Sequence, residues 1–66
     1  MMYLLTWMTM MNNHHEVEAR MLIDDRKAAM GIYLDLRFDD NVIYGSMSEL
    51  DENDNVIRDW GFSKEE

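Results

Sequence analysis

His14-His15-Glu16-Val17-Glu18-Ala19-Arg20-Met21-Leu22-Ile23-Asp24-Asp25-Arg26-Lys27-Ala28-Ala29-Met30, residues 14–30, decides the fold class, because the same letters support two periods. Val17, Ala19, Met21 and Ile23 alternate with Glu16, Glu18 and Arg20, which is the pattern of a strand with one dry and one wet face. The residues are nevertheless mostly good helix formers. Asn13 and Glu16 stand at capping-box spacing, with Asn in the place of the usual Ser or Thr, and Gly31 supplies a stop. Against a helix, Asp25 falls on the wheel between the directions of Val17, Met21 and Ala28 and those of Leu22 and Ala29, breaking the apolar stripe. The strand reading is therefore preferred.

Downstream, Met30, Ile32, Leu34, Leu36 and Phe38 alternate with Gly31, Tyr33, Asp35 and Arg37, a second period-two run that reads as a strand. Val42 to Leu50 and Val56 to Phe62 are rich in strand formers and are flanked by the turn clusters Asp39-Asp40-Asn41 and Glu52-Asn53-Asp54-Asn55. With Asn12-Asn13 and Asp24-Asp25, such clusters recur roughly every 11 to 15 residues, the spacing of short antiparallel strands. The expected fold is thus mostly β, a small antiparallel meander of four to five strands. The alternative is α+β, with one helix at about 14–30 packed on a three- to four-stranded antiparallel sheet. Residues 1–66 read as a single small domain whose last residues, 63–66, are frayed.

A chain of 66 residues buries only about 60% of the surface that its unfolded form exposes, so its core is thin. Small domains usually supplement such a core with disulfides, a metal or a partner, and the sequence has no cysteine. Self-association or a bound partner is the expected supplement. Absence of cysteine also fits a reducing, cytoplasmic setting. The apolar run Met1 to Met11 falls short of the about 20 residues that span a bilayer, and no basic residue precedes it as in a secretory signal.

The net charge is −8, from fourteen acids and six bases. Residues 1–34 hold four acids and three bases, whereas residues 35–66 hold ten acids and three bases, so the second half carries seven of the net negative charges. A field of this sign repels phosphate backbones and anionic lipid, and favours a partner with a basic surface.

Motifs for catalysis or metal binding are weak. His14 and His15 are ordinary metal ligands by type, yet neighbours in sequence point apart and cannot chelate as a pair. Asp51, Asn53 and Asn55 occupy the first, third and fifth places of a calcium loop, but Val56 stands where glycine is needed and Phe62 where glutamate is needed. A hairpin turn built from Asp and Asn explains these letters. No cofactor, no metal and no catalytic residue is expected.

Two binding readings follow. In size and charge the chain is similar in kind to small acidic inhibitors made by bacteriophages and mobile elements, some of which imitate nucleic acid; the resemblance covers composition only. Side chains at alternate strand positions lie about 6.6 to 6.8 Å apart and neighbouring strands about 4.8 Å apart, so acids on a small sheet and its turns can form a dense anionic array. The leading expectation is therefore a decoy that blocks the basic site of a nucleic-acid-processing protein, with Asp35, Asp39, Asp40, Glu49, Asp51, Glu52, Asp54, Asp59 and Trp60 as its contact set. In the other reading, the chain is an interaction or assembly module, antitoxin-like or an oligomeric subunit, that uses the Met-rich N-terminal segment. Tyr3, Leu5, Trp7 and Met11 would share one strand face there, and Leu4, Met8 and Met10 the other. A small fold cannot cover both faces, so Leu4, Met8, Met10 and Met11 are candidates for self-association.

Overall fold

The computed structural model describes residues 1–64. Its elements are strand β1 (Met2–Met10), a 3-10 turn (Asn12–His14), strand β2 (Glu16–Ile23), helix α1 (Arg26–Arg37), strand β3 (Val42–Leu50) and strand β4 (Val56–Ser63). The strands form one antiparallel sheet in the order β2-β1-β3-β4. The mostly β expectation holds, as a four-stranded sheet carrying one helix. The chain is not a plain meander: α1 carries it from edge strand β2, past β1, to β3.

Within the deciding stretch, the alternation of residues 16–23 does form a strand, paired with β1 from Tyr3 opposite Ile23 to Met10 opposite Glu16. The helix lies at residues 26–37 rather than 14–30, and it takes over the run Met30 to Phe38 that reads as a strand by its period of two. The physical reason is a second period in the same letters. Ala29, Ile32, Tyr33 and Leu36 are spaced three and four apart, so a helix puts them on one stripe. Ala29 and Tyr33 are buried and Ile32 and Leu36 pack against them, whereas Leu34 and Phe38 of the alternating set are 43% and 78% exposed. Asp25, which breaks the stripe of a longer helix, starts this one: as N-cap it accepts from the Lys27 backbone N–H at 3.0 Å.

Leu5 on β1 and Met47 on β3 are directly opposite each other and both 0% exposed. Burying a side chain of this size contributes roughly 1.5–3 kcal/mol. Tyr3, Ala29 and Tyr33 complete the buried cluster, and Trp7, Ile23, Trp60 and Phe62 pack around it. Gly45 gives the Phe62 ring its place, since a Cβ there would lie 2.7 Å from it. Tyr33 meets that ring edge-on at 5.6 Å.

At the β3–β4 turn the Asp51 carboxylate accepts from the backbone N–H groups of Asn53 (2.8 Å) and Asn55 (2.9 Å), and Asp54 adopts a left-handed φ of 64°. The calcium-like letters are thus spent on a hairpin turn. Of the end expected to fray, Ser63 closes β4 opposite Tyr44, and the Lys64 backbone N–H donates to the Ile43 carbonyl at 2.8 Å. The remaining two residues lie outside the described ones.

Candidate binding surface

Because α1 covers one side of the sheet, strand alternation divides the residues of every strand between a covered and an open face. Tyr3, Leu5 and Trp7 point to the helix side. Leu4, Met8 and Met10 therefore share the opposite face with Met2 and Thr6, all half-buried, and Leu50, opposite Met2, is buried at that end of the face. The registers extend this face: Leu22 stands opposite Leu4 on one side, and Tyr44 opposite Met8 on the other. Leu22 is 59% exposed and Tyr44 37%. Among the described residues no element lies over this side. Its borders are polar, with Glu16, Glu18 and Arg20 on β2 and Asp59 on β4.

Of the residues expected to drive self-association, Leu4, Met8 and Met10 are brought together here. Met11 lies beyond β1, 53% exposed, with its backbone N–H donating to the His15 carbonyl at 2.6 Å. Leu22 and Tyr44 belong to the face without having been singled out in the sequence. Leu22 was legible as a member of the Glu16, Glu18, Arg20 side of its strand; Tyr44 needed the β1–β3 register.

The acidic contact set is not brought together. Asp39 and Asp40 precede β3, whereas Asp51, Glu52 and Asp54 follow it, and nine residues of strand set the groups roughly 26 Å apart. Asp35 is exposed on α1, and Asp59 stands on the open face opposite Ser48. Glu49 is a correction to that set. It points to the helix side, is 6% exposed, accepts from Tyr3 Oη at 3.3 Å and pairs with Arg58 Nε at 3.8 Å. A buried carboxylate held by a hydroxyl and a guanidinium is a structural group. Trp60 likewise turns inward onto the core, with the Arg58 guanidinium 6.0 Å from its ring centre.

Asp51 spends its charge locally, since the backbone N–H groups of Asn55 and Asn53 hold its carboxyl below the usual carboxylate range. Among the described residues no three His, Asp or Glu side chains are grouped to hold a metal ion, and no helix is long and apolar enough to cross a membrane. Comparison with protein-family models, with curated proteins and with solved structures finds no match to the chain.

Proposed function

We propose that this protein is a binding module rather than an enzyme, and that the open face of its sheet takes the partner. The observation that carries the reading is the row Leu4, Met8, Met10, Leu22 and Tyr44, over which no element lies among the described residues, on a sheet whose other face is closed by α1. Covering that row removes apolar surface from water, which is the dominant favourable term in most association. Methionine suits such a surface because its flexible thioether chain adapts to the shape of what it meets.

The partner's chemistry follows from the borders. Glu16 and Asp59 flank the apolar row, with Glu18 paired to Arg20 on the same border, on a chain of net charge −8, so a docking element with an apolar stripe and Lys or Arg beside it fits both features. The surplus acids then steer encounter and exclude acidic competitors without forming a nucleic-acid replica. This reading favours the interaction module over the decoy, which needs one dense array of carboxylates.

The test is capture from lysate of the source organism with three forms of the full chain. Met8→Glu and Leu22→Glu should abolish capture of the specific partner while circular dichroism stays unchanged. Charge reversal at Asp39, Asp40, Asp51 and Glu52 should preserve it. The opposite pattern would support the decoy and discard the open face.

A further inference from the structure

The sheet has two edges, and they differ. On β4 the register shifts between Glu49 opposite Arg58 and Leu50 opposite Val56, which leaves Ile57 as the extra residue of a bulge. Bulges of this kind interrupt an edge and protect it from pairing. Edge strand β2 has no such device. Its eight residues pair with β1 in unbroken register and contain no proline, and among the described residues no strand lies beside their outer N–H and C=O groups. Its side chains include exposed apolar ones: Val17 at 48% and Met21 at 40%.

We propose that β2 is a dimerisation edge, and that its occupant is β2 of a second copy, antiparallel, with the two-fold axis passing at Ala19. The register follows from the strand itself. Outward backbone groups alternate along a strand, so two identical antiparallel edges pair only if the axis passes at a residue and not between two. An axis at Glu18 sets Glu18 against Glu18, and an axis at Arg20 sets Arg20 against Arg20; directly opposed like charges destabilise a pair. An axis at Ala19 sets Glu18 against Arg20 of the second copy, and Arg20 against its Glu18. On the helix side it sets Val17 against Met21 of the second copy in both directions, and two small Ala19 methyl groups face each other at the centre.

The Glu18 and Arg20 side chains already pair along the strand at 3.2 Å, both well exposed, so the groups that would be exchanged lie on the same face and at the right spacing. The result is one continuous eight-stranded sheet with both helices on the same side. Because the outer edges are then the bulged β4 strands, assembly closes at two copies instead of growing into a fibre. No layer is added over the open face, so this edge does not depend on the docking surface proposed above, although Glu18 and Arg20 on its border are then engaged by the second copy.

The absence of cysteine makes a direct test available. Across an antiparallel pair, Cα atoms about 4.5–5.5 Å apart are within disulfide reach. Oxidised Ala19→Cys should give a covalent dimer, twice the 7.9 kDa chain, whereas Arg20→Cys and Ile57→Cys should not. Sedimentation equilibrium should show a wild-type dimer, weakened about tenfold by Glu18→Arg, and restored to within about threefold by Glu18→Arg combined with Arg20→Glu, since two symmetric pairs are changed at once. Circular dichroism identifies any variant lost through unfolding, and the charge-swapped form then decides. A wild-type chain that stays monomeric at millimolar concentration would overturn the proposal, as would cross-linking through Arg20→Cys or Ile57→Cys instead of Ala19→Cys.

Discussion

Tyr3 on β1 and Glu49 on β3 stand directly opposite each other, 4% and 6% exposed, and the Tyr3 hydroxyl donates to Glu49 Oε2 at 3.3 Å. Burial, followed by the Glu49 charge and this hydrogen bond, pushes the Tyr3 hydroxyl up from its ordinary 10.0. With the folded value raised, the stability that Tyr3 contributes is fully present below the unfolded value and is lost as pH rises through the folded one. In alkaline titration by ultraviolet absorbance, Tyr3→Phe should remove one transition lying above pH 10, and the variant's stability should depend less on pH there.

Arg58 is the counter-charge for that pair, and Glu49 Oε1 accepts no hydrogen bond among the described residues. Arg58→Ala should lower stability by about 1 kcal/mol, less than for a fully buried pair because the Arg58 side chain is 60% exposed. Glu49→Gln combined with Arg58→Ala should recover part of the loss. Urea unfolding of the two single variants and the double variant measures the coupling.

Asp51 organises the β3–β4 turn as a carboxylate. Its folded value is lowered, so its contribution is present above the unfolded value, near the ordinary 3.8, and is lost as pH falls through the folded one. Asp51→Ala should be less stable than the parent at neutral pH, with the gap closing as pH drops below 3.8. Denaturant midpoints measured across that range test the sign.

Helix α1 offers one gain and one loss. Gly31 is exposed, lies in the helix interior, and a Cβ there would meet nothing within 4 Å. Gly31→Ala should therefore raise stability by about 0.5–1 kcal/mol. Asp25→Ala removes the N-cap acceptor and should cost about 1 kcal/mol. Thermal midpoints moving in opposite directions would confirm both.

Neighbouring leucines separate the core from the open face of the sheet. Leu5→Ala should cost about 2–5 kcal/mol, because Leu5 is 0% exposed and a cavity remains. Leu4→Thr, on the open face, should cost less than about 1 kcal/mol in a monomer. Equal losses at the two positions would mean that a layer covers both faces.

The local features were readable from neighbouring letters. The strand at 16–23 came from alternation, and the turns at 12–13, 39–41 and 52–55 came from Asn and Asp. The division of the N-terminal run into Tyr3, Leu5 and Trp7 against Leu4, Met8 and Met10 came from the two-residue period of a strand. These rest on neighbours in the chain, so their physics is written in consecutive letters. Residues 29–38 carried both periods at once, and only packing of Ala29 and Tyr33 onto Leu5 and Met47 selected the helix. Tertiary structure alone decided that Glu49 turns inward to Tyr3, that β3 holds Asp39 apart from Asp51, and that Leu22 and Tyr44 join Leu4 and Met8. Each depends on which strand lies beside which, a consequence of long-range pairing that no window of sequence contains.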